Sequence, residues 1–491
     1  MSLRWSSESL KDCPARLIVS SVESIAEPIA YVNVMVYAPA SGLRRDAYTE
    51  SRVMALSSLR RLSTFESLKI RDYRLLWLGQ VSTSMGQWMD QVTRGWLMYQ
   101  LTGSAADLGF VTAARGLPLL FFGVIAGALA DRSGRKIQLV VAQITNAGLN
   151  IILATLVLTG HVQPWHLYVT ALLAGSVQAF QQPARQTLVS DLVGNHRLMN
   201  AMALNSAALN GSRVLGPSIA GALIAAIGVS GSYYTQAAMY VVATIWTFQM
   251  RVPNPHTDRA ERAQEPFFAS IQAGFAFVAK ERNIRSLMML ALGPLTFAMS
   301  YTSLMPIMAR TVLHGDARTQ GLILSCVGAG SLVGALVVAS MRRSYGYGLP
   351  MVIGALLFSG GVFAFASSHV LWLSCLLGMV VGSFNVTYTT QNQTLLQVLA
   401  PRSIRGRVMS IYLLSRGTVP LGAAVAGVLA SRFSAPTAIH IMSGTAIGVI
   451  VFVCIIQPQF LRLKVPLRTD EDEDEDVAGP GKASGTSREA V

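Results

Sequence analysis

Ionisable side chains stand inside long apolar runs of this 491-residue chain: Asp90, Arg94, Arg115, Arg185, Arg213, Arg310 and Arg416. A charge in such a run is costly in a bilayer and is by default tied to function. The exception is a long side chain reaching back to the interface from a helix end, expected of Arg310 and of Arg185. Asp90 and Arg94 stand at i, i+4, so they share one helix face and can pair. Asp90 is also singled out by elimination. From Arg285 to Pro458 the only carboxylate is Asp316, in a loop, and Asp107 and Asp191 sit near run ends. If protons drive a process here, Asp90 is the best-placed group to carry them; a purely structural Asp90–Arg94 pair is the competing reading.

Amides join these charges at Gln178, Gln182, Gln186, Asn385, Gln391 and Gln393. Together with Arg115 and Arg213 they are candidates to line a polar interior, with Trp88, Phe122 and Tyr388 as apolar walls. Hydrogen bonding between helices, without any ligand, explains the amides equally well. Lipid-facing positions explain the aromatics equally well.

Other chemistries find no support. The Gly-rich stretch from Gly328 to Gly334 lacks the Lys-Ser/Thr that follows a phosphate-binding loop. Cys13, Cys326, Cys375 and Cys454 lack metal-ligand spacing, so no metal, disulfide or cofactor is expected. The net charge is +14, but the basic residues are scattered between apolar runs without exposed aromatics, which argues against nucleic acid.

The elements that must position these residues follow from composition. Hydrophobic residues make up 52% of the chain and charged ones 13%, against about 25% charged in soluble domains. Twelve runs reach the length of about 20 residues that a spanning helix needs, starting near Leu75, Leu108, Ile137, Trp165, Ala201, Tyr233, Ser286, Leu322, Pro350, Leu371, Val408 and Thr437. Arg132, Arg135, Lys136, Arg197, Arg342, Arg343, Arg402, Arg405 and Arg407 fall in alternate loops. The positive-inside rule puts those loops, both termini and the central segment in the cytoplasm. At a spacing of 207 residues Gly127 aligns with Gly334, Gly175 with Gly382, Gln178 with Asn385 and Met202 with Met409. The expected fold is an all-α membrane protein of twelve transmembrane helices in two pseudo-symmetric six-helix bundles.

The expected organisation is 65–250 for the first bundle, 251–284 for a cytoplasmic linker, 285–458 for the second bundle and 459–491 for an acidic disordered cytoplasmic tail. Residues 1–64 are either a disordered extension or a mis-assigned one with the true start at Met54, the latter favoured because nothing there looks able to fold alone.

The best local signal is Gly127-Ala-Leu-Ala-Asp131-Arg132-Ser-Gly134-Arg135-Lys136. This loop resembles the signature of the major facilitator superfamily, G-x-x-x-D-R-x-G-R-[RK], and matches every specified position. The resemblance implies a role for Gly127, Asp131, Arg132, Gly134, Arg135 and Lys136 in gating the cytoplasmic entrance. It also implies that Arg135 pairs with Asp191 in one conformation and releases it in the other; a plain interfacial carboxylate is the alternative. Ser212, Gly216, Pro217 and Gly221 resemble the exporter signature of helix five, with Ser212 and Ala220 replacing two glycines; packing alone is the competing reading. The runs Trp88-Met-Asp90, Ala114-Arg115-Gly-Leu-Pro118 and Arg213-Val-Leu-Gly-Pro217 are similar to the enterobactin-exporter-like branch over nearly all of residues 65 to 460. That resemblance implies a monomeric inner-membrane secondary carrier that exports a small amphipathic molecule such as a drug, macrolide or siderophore, with protons as coupling ion. A proton-linked nutrient importer and a non-transporting receptor on a carrier fold are the alternatives.

Overall fold

In lipid every backbone polar group needs an internal partner, so long apolar runs become helices. A computed structural model describes residues 66–132, 134–252, 276–340, 348–401 and 404–458, without the side chains of 123–132, 195, 414 and 416. The side chains of Gly127, Asp131, Arg132 and Arg416, the 1–64 extension, most of the 251–284 linker and the 459–491 tail lie outside the described residues. Everything described falls within one unit, Phe65–Val491.

The first helices are α1 (Arg71–Thr102), α2 (Ala105–Arg132) and α3 (Arg135–Leu158). Pro164–Gln249 follows as one hydrogen-bonded run that turns at Gly194 (φ 65°) and Gly228 (φ 76°), which separates α4 (164–193), α5 (195–227) and α6 (229–249). Glycine adopts this left-handed backbone without the steric penalty other residues meet. A Gly/Ser cluster marks the second break in the sequence; nothing comparable marks Gly194. The later helices are α7 (Arg282–Thr296, extended by tighter and wider turns to Val312), α8 (Ala317–Ser340), α9 (Gly348–Ala366) and α10 (Leu371–Leu399). Last come α11 (Arg405–Ser415, continuing through a 3-10 turn as Val419–Arg432) and α12 (Ala435–Ile456).

Among the described residues eight helices are long and apolar enough to cross a membrane, one of them running through the break at Gly228. The helices that miss this test are informative. α11 is interrupted at Arg416–Thr418, and α1 and α4 are too polar. α1 buries Gln80, Thr83, Ser84, Asp90, Thr93 and Arg94, which is tolerable in a bilayer only where neighbouring helices supply partners. With these three, and with the Gly228 break counted, the described residues form twelve rods.

Two close crossings join the first six rods to the last six. On α2, Gly109 meets Ala423 and Gly427 of α11, and Gly116 meets Pro420. On α8, Gly321 meets Pro217 of α5, and a Cβ on Gly328 would lie 2.7 Å from the Arg213 carbonyl oxygen. The glycines are two helical turns apart in both cases, so the crossings repeat the internal symmetry of the sequence. Both lie in the halves of these helices nearer the face that carries Gly103 and Asp316. On that side Pro306 also touches Gly95, and the Arg310 guanidinium lies 6.0 Å from the Trp96 ring centroid. On the opposite face, Arg135–Asp191, Lys136 to the carbonyl oxygens of Phe248 and Met250, and Ser286–Gln457 each link helices of the same half.

Candidate functional site

Helical periodicity puts Asp90 and Arg94 on the inner face of α1, and both are buried. Arg94 donates from Nη2 to Asp90 Oδ1 at 3.0 Å and from Nε to Oδ2 at 3.2 Å. Arg94 Nη1 continues to Thr170 Oγ1 at 2.8 Å and to the Leu167 carbonyl at 3.1 Å, both on α4. From α2, Arg115 Nη1 closes on Asp90 Oδ2. One carboxylate thus holds two guanidiniums and ties three helices together. Only the i, i+4 half of this cluster is readable in the sequence. The Arg115 contact needs Gly175 of α4, whose missing side chain lets that helix lie directly against the Arg115 backbone.

Trp88 and Arg213 meet: the guanidinium carbon sits 5.5 Å from the ring centroid, and both side chains are half-buried. The helix-five motif divides its work between two neighbours. Ser212 Oγ lies 3.5 Å from the Val81 carbonyl oxygen, and a Cβ on Gly216 would lie 2.7 Å from Trp88 Cβ, so both face α1. Pro217 and Gly221 face α8, where Ser218 Oγ and Ser325 Oγ are 2.6 Å apart. All four residues act through close packing, the last two at the crossing between halves.

Gln178 and Gln182 are half-buried on α4. The α10 candidates go elsewhere. Asn385 Nδ2 has Met299 Sδ at 3.9 Å, and no hydrogen bond joins it to Gln178 among the described residues. Tyr388 is 1% exposed and stacks on Phe358 of α9 with centroids 5.6 Å apart. It is therefore part of the second half's packed interior and not a wall of the central cavity, and Gln391, also buried, follows it on α10. Phe122 is exposed and lies 6.0 Å from Phe180.

Arg185 corrects an expectation outright. It does not reach back to the interface: it is 4% exposed, and its Nη1 donates to Gln80 Oε1 and to Thr83 Oγ1 of α1. The signal available for this was the polar run Gln80-x-x-Thr83-Ser84, which reads as a socket only once α4 is known to cross there. Arg94, Arg115, Arg185 and Arg213 together face a single buried carboxylate among the described residues, Asp90. The interior of the first half is strongly positive.

The side chains of the motif are described from Gly134 onward. Arg135 Nη1 pairs with Asp191 Oδ2, and Lys136 caps the end of α6 with 2.9 and 2.7 Å bonds to the carbonyls of Phe248 and Met250.

Comparison with known proteins agrees with this architecture. The chain is 24% identical to the staphyloferrin A transporter of Staphylococcus aureus, over 79% of this chain and 95% of that protein. It is 26% identical to the multidrug efflux pump Tap of Mycolicibacterium fortuitum, over 72% and 88%, and 25% identical to the enterobactin exporter EntS of Escherichia coli, over 76% and 89%. The fold is shared with the nucleoside transporter NupG (TM-score 0.61, 16% identity, 78% of this chain and 98% of that one). It is also shared with a bacterial homologue of the human lysosomal transporter Spinster in an inward-facing, unoccupied conformation (TM-score 0.61, 15% identity, 80% and 96%). The profile of the transmembrane secretion effector family matches residues 62–478. Twelve helical rods, a polar first half and a match over most of the chain agree: this is a multi-pass membrane transporter belonging to the transmembrane secretion effector family of the major facilitator superfamily.

Proposed function

We propose that the chain is a monomeric secondary carrier of the inner membrane, with both termini cytoplasmic, that exports a small amphipathic molecule of drug, macrolide or siderophore type by alternating access. The observation that carries this reading is the excess of guanidiniums over carboxylates inside the first half, at the flank of an α5 that carries the exporter-type motif. Buried cations without internal counter-charge favour an anionic or polyhydroxylated cargo. The relatives named as transporting staphyloferrin A and exporting enterobactin support export of such a molecule. Two close crossings confined to one side of the bilayer suit two halves that rock about the site.

Protons are the proposed coupling ion, with Asp90 as the group that takes them. A proton arriving there would leave Arg94 and Arg115 without their shared counter-charge, so protonation and rearrangement of the cluster are linked. The decisive experiment is an efflux and susceptibility screen in a pump-deficient host, comparing wild type with Asp131→Asn. Wild type is expected to lower accumulation of at least one compound and the variant to lose that effect. Accumulation raised by the wild type would indicate import and overturn the direction.

The Arg135–Asp191 pair is the proposed latch of the motif loop. Its side chains are 16% and 30% exposed, and pairs of that exposure contribute roughly 1 kcal/mol or less. Asp191→Asn is therefore expected to leave thermal stability nearly unchanged while slowing efflux severalfold. Wild-type efflux in that variant would remove the pair from the gate.

A further inference from the structure

Below the Asp90 cluster, α4 brings a second cation against α1 with no acid paired to it among the described residues. Nη1 of Arg185 is occupied by Gln80 Oε1 and by Thr83 Oγ1 at 2.9 Å, and Gln80 is itself oriented by its 2.6 Å bond from Nε2 to Ser84 Oγ. These contacts hold the guanidinium plane and leave its Nε–Nη2 edge, where neither nitrogen has a partner among the described residues. One turn earlier on the same face of α4 stands Gln181, 2% exposed, with neither amide atom partnered among the described residues. Asp90 does not serve Arg185. It is held by Arg94 and Arg115, and it stands almost three turns further along α1 than Gln80, about 15 Å of helix.

We infer that the Nε–Nη2 edge of Arg185, with the Gln181 amide, is a subsite for a carboxylate of the transported molecule, which makes the cargo class a carboxylate-bearing one. This rests on the exporter reading and narrows its substrate. The Nε–Nη2 edge is the side of a guanidinium that takes a planar oxyanion through two parallel N–H···O bonds. The Gln181 NH2 supplies a third donor, and a buried guanidinium gains most from an anion that also satisfies its remaining protons. Pro183, between the two residues, removes one backbone hydrogen bond from this turn of α4.

The test uses the full chain in nanodiscs of zwitterionic phosphatidylcholine, titrated with citrate, with trimethyl citrate and with inorganic phosphate, and read by tryptophan fluorescence from Trp77 and Trp88 on α1. Saturable binding of citrate is expected, and none of the ester. Arg185→Gln and Arg185→Lys should each weaken citrate at least tenfold, and Gln181→Ala about three- to tenfold. Arg185→Lys keeps the charge and loses the paired edge, so it carries the test if the Gln variant does not give a single size-exclusion peak. Citrate binding as tight in Arg185→Lys as in wild type, equal binding of the ester, or no citrate binding by wild type would each overturn the subsite. A lipid phosphate offers similar chemistry. If phosphatidylglycerol nanodiscs abolish citrate binding and inorganic phosphate competes equally, the site belongs to a headgroup and the cargo assignment falls. Citrate binding that depends on Arg185, in a chain that exports nothing in cells, would sink the exporter reading alone; efflux with Arg185-independent citrate binding would sink the subsite alone.

Discussion

Asp90→Asn is expected to lower the unfolding free energy by about 3–5 kcal/mol, the usual cost of removing one partner from a buried ion pair. Asp90 is 3% exposed and is the shared acceptor of Arg94 and Arg115, so the variant leaves the buried Arg94 and the half-buried Arg115 facing an amide. Domains carry only about 5–15 kcal/mol of net stability, so the loss should be plain as a lower melting temperature in detergent and a poorer yield. Asp90→Asn combined with Arg115→Gln should recover a substantial part of the loss, because the residues are in contact and their effects are not additive. The double variant then separates two roles. A folded carrier whose efflux no longer responds to a pH gradient is the result expected if Asp90 couples protons; efflux that follows the gradient as in wild type would leave Asp90 with a structural role only. A wild-type melting temperature for the single variant would show that the cluster is not a compensated charge group at all.

The second large effect is expected at the crossings between halves. In Gly328→Leu the new Cβ would lie 2.7 Å from the Arg213 carbonyl oxygen, and in Gly427→Leu 2.7 Å from that of Ala105. Neither contact is with a flexible side-chain tip, so the backbones must separate. Overpacking of this kind costs about 1–3 kcal/mol. Because the cost falls only on the state in which the two halves touch at the Gly103 face, it should shift the balance towards opening there by about 5- to 150-fold. Spin labels placed in the loops of that face should report longer distances, and efflux should fall at least tenfold. Gly334→Leu is the contrasting case. Its Cβ would lie 2.8 Å from Ser383 Cα, between α8 and α10 of the same half, so it should reduce folded protein and not merely shift conformers. Unchanged distances in the two crossing variants would mean that these contacts do not define the closed state.

Much of this site is legible in the amino-acid sequence. Asp90 and Arg94 pair through local helix geometry, and the motif loop is recognised by its resemblance to the superfamily signature. Arg135 pairs with Asp191, as the resemblance to the superfamily implies for one conformation, whereas the meeting of Trp88 with Arg213 is not announced by the sequence. Tyr388 and Arg185 depart from what the sequence leads one to expect. An aromatic residue among amides on α10 looks the same whether it faces a cavity or α9, and an arginine near a helix end looks the same whether it reaches the interface or enters a socket.

Hydropathy and the twofold repeat determined, from sequence alone, that the chain is a polytopic helical protein of two halves, and the resemblance of its motif loop made it a carrier. These are properties of single segments, set by the demand that each run of backbone satisfy itself in lipid. Tertiary structure alone decided which charges share a carboxylate, which arginine has an edge to spare, and on which side the halves touch. Those facts depend on how far each helix is rotated about its own axis and how closely it meets its neighbour. Glycines such as Gly175, Gly328 and Gly427 set that approach through contacts with helices far away in the chain, and nothing in the local pattern around them says which helix they will meet.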